Sequence, residues 1–349
     1  MKRAVVLCAV AVVAGCMAGT ARFPEKPAAV AHAVPEGARI EMGVGHFNRA
    51  GKAFHYWDKE KEIPVPCSRC HGAEGVAQYV RDGTVTPKPH VKNGFACTNC
   101  HANMLTYERH KVAKVTFPSG VSVDSGNGDA NLCMTGHQGI ESPVSVNKQI
   151  TGLPADTPDP KLNFVHVHYF PAGSMRYGGE AKVGYEYPDR SYAGFFKHVP
   201  GMDTCTACHE PHGGHLKAEK CTTCHQGGRP EGRAKELEAQ KAELYKAIQT
   251  YAKAVGGVAI AFTPEAYPYW HADTNGNGKI DPEELNPKNK YPAYTPRLMQ
   301  AVYNYTFLLR DPGAGYHNGR YANQIAYDSL ESLAQSGKAG VSLQGRPRP

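Results

Sequence analysis

The pattern of apolar positions changes along the chain. Over residues 233–255, Leu237, Leu244, Ile248, Tyr251, Ala252 and Val255 fall on one face at helical spacing, and Gly256-Gly257 follows as a stop signal. This predicts an amphipathic helix whose apolar stripe is core packing. Pro296 to Leu309 and Asn318 to Leu333 predict two further helices, broken at Asp311-Pro312-Gly313. Upstream, FVHVHYF alternates polar and apolar residues. At the N-terminus, Lys2 and Arg3 precede an apolar run, Ala4 to Ala14, too short to span a bilayer as a helix.

That run ends in Val13-Ala14-Gly15-Cys16, which resembles a bacterial lipoprotein cleavage box. Residues 1–15 then read as a leader, with Cys16 the acylated first residue and lipid anchor; the alternative is an ordinary secretory signal cut nearby. Either way the chain is exported. Residues 16–38, rich in Ala and Pro, read as a tether.

Composition narrows the rest. Hydrophobic residues make up 41% of the 349, with 37 Gly and 26 Pro, and the mean hydropathy is −0.47. That is polar and loop-rich for so long a chain with an ordinary core. The net charge of +7 is spread out, with no basic run, so it is no signal for nucleic acid.

Chemistry concentrates in four copies of C-x-x-C-H: Cys67, Cys70 and His71; Cys97, Cys100 and His101; Cys205, Cys208 and His209; Cys221, Cys224 and His225. A lone C-x-x-C suits a redox dithiol or half a zinc site. Four copies that all carry the trailing His read as covalent haem attachment, with two thioethers to the porphyrin and the His on the iron. Stacked porphyrins would then supply much of the apolar interior, and apo-protein is expected to be unfolded.

The eleven cysteines resolve by subtraction. Cys8 leaves with the leader, Cys16 takes the lipid, eight serve the motifs, and Cys133 remains. Cys133 lies in LCMTGHQG, where Gly136 stands in place of a second cysteine and His137 in place of the motif His. This reads as a fifth haem site that has lost one thioether, with His137 still a ligand. The alternative is a vestigial site with no porphyrin and a free thiol.

Seventeen histidines provide ample second ligands. His46 and His55 lie in an aromatic setting, HFNRAGKAFHYW; His198 closely precedes Cys205; and His168 is the better placed of the two in FVHVHYF. His212 is too near His209 for the same iron but suits a neighbouring one.

One further motif stands apart. DTNGNGKIDPEE fits the EF-type calcium loop: Asp273, Asn275 and Asn277 at positions 1, 3 and 5, Gly278 at the turn, the Lys279 carbonyl, Asp281, and Glu284 at position 12. It reads as a structural calcium staple of modest affinity, the alternative being an Asn-Gly surface turn.

The stretches GHFNRAGKAFHYW, TFPSGVSV, LCMTGHQG, VHYFPAGSMRYGGEAKVGYEYP, HVPGMDTCTACHEPH and DPGAGYHNGRYANQIAYDSLESL together resemble a family of exported multihaem cytochromes from metal- and sulfur-metabolising bacteria. The broader kin of that family include octahaem tetrathionate reductases and pentahaem nitrite reductases. The resemblance implies His46, His55, His168, His198 and His212 as distal ligands, with His317 a sixth candidate. It also implies a second cysteine where Gly136 stands. Nitrite reductases carry a lysine in place of one motif histidine, and no copy here does.

The expected fold is mainly α with much irregular loop. A multihaem cytochrome c module at 39–229 would wrap a stacked haem array, followed by a helical region at 230–336 holding the loop 273–284, and a flexible tail at 337–349. The expected function is electron transfer through bis-histidine haem c groups in the periplasm or at the outer membrane or cell surface. Its partners would be redox proteins or an extracellular acceptor. The alternatives are a reductase of a small oxyanion or a nitrogen or sulfur compound, with an open-faced haem at His137, and a subunit of a homo-oligomer or filament.

Overall fold

The computed structural model describes residue 46 and residues 55–86, 96–168 and 170–349. The leader, Cys16, the tether, and the histidines at 32 and 90 lie outside the described residues.

Three helices form the scaffold. α8 (Gly232–Gly256), α9 (Pro296–Arg310) and α10 (Ala314–Ala334) pack on one another. α8 turns Leu237, Leu244, Ile248, Tyr251 and Ala252 inward and stops at Gly257, whose φ of +71° suits a residue with no Cβ. α9 starts at Pro296, with the Thr295 hydroxyl accepting from Leu298 N–H at 3.1 Å, and it is buried almost all round. α10 contains a break. Asn318 has extended φ/ψ, and its Oδ1 accepts from Tyr321 N–H at 3.1 Å. Asn318 therefore caps the helix expected over 318–333, and one extra turn, carrying His317, precedes it.

The segment 112–195 lies on this scaffold. Its short helices α3 (Gly128–Gly136), α4 (Pro143–Ile150) and α5 (Ala172–Tyr177) and the two-stranded ribbon β1 (Val115–Thr116) with β2 (Ser122–Val123) contribute Phe117, Met134, Val146, Met175 and Tyr185 to the same core. α9 ties the segment down with polar groups. Tyr303 Oη donates to the carbonyls of Glu141 (3.0 Å) and Val183 (2.7 Å), and Asn304 bonds both N–H and C=O of Tyr185. A second ribbon, β3 (Ile260–Phe262) with β4 (Trp270–Ala272), leads into the loop 273–284.

One buried apolar cluster takes in residues on both sides of residue 229, from Val115 to Tyr185 and from Leu237 to Ala339. The segment 337–349 is docked. Arg348 forks onto Asp328, Arg346 onto Glu243, and Ala339 is buried. Arginine–carboxylate pairs of this bidentate kind hold a terminus that composition alone leaves loose.

The motif-bearing stretches contrast with this core. Among the described residues no apolar side chain between Tyr185 and Leu237 is buried, and only Ile63, Val76 and Val85 are buried between 55 and 110. Large apolar groups there face outward instead: Met104, Leu105 and Tyr107 in one stretch, Phe196, Val199 and Leu216 in the other.

Half-buried Glu186 supplies a stability test. Burial raises its carboxyl to about 7, against an ordinary 4.5, although Tyr321 Oη donates to it at 3.0 Å. The folded state then binds more protons than the unfolded one between those two values, so stability falls as pH rises through that window. Glu186→Gln is expected to unfold at higher temperature than the native chain at pH 8 but not at pH 4. Equal melting shifts at both pH values would refute this.

Candidate haem-binding sites

Each motif folds as one helical turn that ends at its histidine. α1 (Val65–His71), the 3₁₀ turn Cys97–Asn99, α6 (Cys205–Cys208) and α7 (Glu219–Thr222) carry the four full copies. Cysteines three apart on such a turn share a face. The histidine N–H bonds the first cysteine's carbonyl in three of these: His101 to Cys97 (2.9 Å), His209 to Cys205 (2.9 Å) and His225 to Cys221 (2.8 Å). The irregular copy closes the same turn, His137 N–H to Cys133 O at 3.0 Å. A Cβ at Gly136 would meet nothing within 4 Å, so the backbone there has the shape of a motif with its second thiol removed.

Opposite each of these five histidines stands a second imidazole. His71 faces His168 (ring centroids 5.8 Å apart), His101 faces His212 (6.2 Å), His137 faces His46 (5.9 Å), His209 faces His317 (6.1 Å) and His225 faces His198 (6.4 Å). We number these sites I to V in motif order. With metal–imidazole bonds of about 2.0–2.1 Å and the ring centroid about 1.1 Å behind its nitrogen, two rings on opposite sides of one ion have centroids roughly 6.2–6.4 Å apart. One such pair is unremarkable in a histidine-rich chain. Here every motif histidine has its own partner, two pairs at that separation (6.2 and 6.4 Å) and three somewhat inside it (5.8, 5.9 and 6.1 Å).

At several of these rings the other nitrogen is engaged, whereas the buried Nδ1 of His198 has no hydrogen-bond partner among the described residues. Nδ1 of His46 contacts Pro211 O (2.8 Å), that of His101 Tyr107 O (2.7 Å), and that of His137 Phe170 O (3.2 Å). Nδ1 of His317 contacts both oxygens of Asp311, at 2.9 and 2.7 Å. A carbonyl or carboxylate at Nδ1 fixes the tautomer and leaves Nε2 to bind metal. Burial, and then the facing imidazole, pushes His137 and His168 down to about 4. They are thus neutral at physiological pH, the form that ligates. Burial also pulls His317 down, but the charge and hydrogen bond of Asp311 outweigh it and leave the ring raised.

The sites adjoin. The Cys133 and Cys205 thiols contact one another across III and IV. Cys208 and Cys221 are close enough to interact across IV and V, and Arg109 lies near both Cys100 of site II and Cys133 of site III. Phe170, whose carbonyl holds His137, is two residues from His168 of site I.

The remaining candidates fall elsewhere. His55, expected as a distal ligand, contacts Asp58 through Nδ1 at 3.1 Å and lies outside the five pairs. In the loop 273–284 the acidic oxygens are engaged internally: Asp273 accepts from the N–H groups of Gly276, Asn277 and Gly278; Glu284 from those of Thr274, Asn275 and Asp281; and Asp281 from the amides of Asn275 and Asn277. The Asn277 Oδ1 accepts from Lys279 N–H. Among the described residues no three His, Cys, Asp or Glu groups converge to hold a bare metal ion. Sequence reasoning missed Arg310 and Asp311. Both are buried; Asp311 opens the stretch DPGAGYHNGR that contains His317, and Arg310 directly precedes it.

Turns that repeat a haem-attachment motif, each met by a second imidazole, have the features of a multihaem c-type cytochrome. The comparisons with known proteins support that class. The chain is similar to the C-type polyheme cytochrome OmcB of Geobacter sulfurreducens, found in two strains (29% identical over 351 residues, 80% of this chain and 45% of that one). It is also similar to the C-type polyheme cytochrome OmcC of the same species (27% over 366 residues, 84% and 46%). It spans about half the length of these relatives. Among solved structures, the Outer Cell Wall Cytochrome OcwA aligns with a TM-score of 0.42 at 17% identity, covering 81% of this chain and 48% of that one. No family model matches. Kinship with tetrathionate or nitrite reductases, expected from resemblance, receives no support from these relatives.

α3 presents Cys133 and His137, and buried Asn131 anchors it. Its side chain bonds Ser125 N–H (3.0 Å) and the carbonyls of Val112 (2.8 Å) and Ala113 (3.0 Å). Asn131→Ala strands these groups and is expected to cost about 1–3 kcal/mol, read as a lower melting temperature and as selective loss of haem at site III. Unchanged stability would refute it.

Proposed function

We propose that this chain carries electrons through five haem c groups, each held between two histidines. The proximal ligands are His71, His101, His137, His209 and His225; the distal ones, in the same order, are His168, His212, His46, His317 and His198. Four haems take two thioethers each from the full motifs, and the fifth is held at site III by His137, His46 and, through Cys133, at most one thioether. Haem, when bound, would supply a one-electron iron couple; the paired histidines would hold the iron, and the neighbouring sites adjoin. The outward-facing Met104, Leu105, Phe196 and Val199 suit segments that fold onto an apolar plate.

The observation that carries this reading is the second imidazole at every motif histidine. It also bears on the rival. A reductase needs an iron open on one face, and site III was the natural place for it. His46 stands across from His137 there, so the arrangement favours a conduit. The donor and acceptor are then redox proteins or an extracellular acceptor. The lipid anchor at Cys16 and a position at the periplasmic or outer face of the envelope follow from the leader. No helix among the described residues is long and apolar enough to cross a membrane.

Calcium at 273–284 is a second element of the proposal. Asp273, Asp281 and Glu284 retain lone pairs beyond those used within the loop, and chelation is expected to lower the melting temperature by a few degrees, restored by added Ca²⁺. No change on chelation would remove calcium from the account.

The main test is metal content with low-temperature EPR. Five irons per chain, all low-spin and inert to cyanide and nitrite, are expected, with His46→Ala converting a single iron to a high-spin or ligand-accepting form. An open iron in the native chain would favour the reductase instead.

A further inference from the structure

The last residue of α9 and its successor carry opposite charges into the interior. Arg310 is 1% and Asp311 2% exposed, and charged groups are seldom buried so completely. They serve different sites. Arg310 Nε lies 3.1 Å from His166 Nε2, the guanidinium sits 4.6 Å from the Tyr269 ring centroid, and the His166 ring packs against His168, the distal histidine of site I, with centroids 5.4 Å apart. Asp311 takes Nδ1 of His317, the distal histidine of site IV, on both oxygens, and its charge also reaches His209. Arg176 acts on His317 with the opposite sign, but more weakly than Asp311.

We propose that Arg310 and Asp311 set the direction of electron flow, Arg310 by raising the reduction potential of site I and Asp311 by lowering that of site IV. The proposal rests on the five-haem reading above. Reduction adds a negative charge at the iron, so a cation buried nearby favours it and an anion opposes it, and a buried pair is little screened by salt. A carboxylate at the ligand's Nδ1–H also raises the basicity of the imidazole, which favours ferric iron. Site III adjoins both, with His137 within reach of the Asp311 charge and bonded to the carbonyl of Phe170, two residues from His168. An electron arriving at site IV then moves downhill through III to I.

Spectroelectrochemical titration of the full haem-loaded chain tests this with two variants, Asp311→Asn and Arg310→Met. The second exchanges a buried charge for an unbranched apolar side chain. Asp311→Asn is expected to shift one component upward and to alter the EPR signal of one low-spin iron as His317 loses anionic character. Arg310→Met is expected to shift a different component downward, one that lies higher in the native chain. The proposal is overturned if neither component moves, if both variants move the same one, or if the component raised lies above the component lowered. Iron content measured beforehand separates a failure of the five-haem reading from a failure of this one. Should Arg310→Met yield no holoprotein, Asp311→Asn decides alone, and unmoved potentials overturn the proposal.

Discussion

Two metal–nitrogen bonds and two imidazole rings span roughly 6.2–6.4 Å, and five pairs of histidines in this chain have ring centroids 5.8–6.4 Å apart. Much else in the fold makes sense as a means of holding those ten rings. Sites I, II, III and IV join residues far apart in the chain, so the backbone must cross over itself to make them. That need explains the long irregular connections, the high glycine and proline content and the short helical turns at the motifs. His317 reaches its place because Asn318 interrupts α10 and sets one extra turn ahead of the cap. His46 reaches its place with a hydrogen bond to Pro211, beside the fourth motif.

The distribution of apolar burial divides labour. α8, α9 and α10 bury an ordinary aromatic and aliphatic core, which can fold by the usual hydrophobic gain. The motif stretches bury almost nothing of their own. Under the proposed function, a flat apolar cofactor would give them surface to fold against. Interior polar groups such as Asn304 and Tyr303 tie the segment 112–195 to α9 by satisfying its backbone atoms, and such groups specify one arrangement because any alternative leaves donors unpaired.

The attachment turns and the three scaffold helices were legible from local spacing, because both follow from the helical repeat. The inward face of α8 and the helix start at Asn318 came out close to where periodicity and capping put them. The pairing of histidines was less accessible. Candidate distal residues could be named from context, but which ring faces which depends on long-range packing that one sequence does not encode locally. His55 shows the limit: its aromatic surroundings match those of His46, yet it contacts Asp58 outside the five pairs. Arg310 and Asp311 look like a solvated helix end in sequence, and only packing reveals that both are buried. The tail misled for the opposite reason. Its polar composition suggested mobility, whereas its arginines are what fasten it.

An anomalous-scattering map collected at the iron edge from crystals of the native protein addresses the central claim most directly. The account predicts five iron peaks, each midway between the imidazoles of one named pair, including one between His137 and His46. Four peaks with none at that pair, or irons lying away from the paired rings, would contradict it.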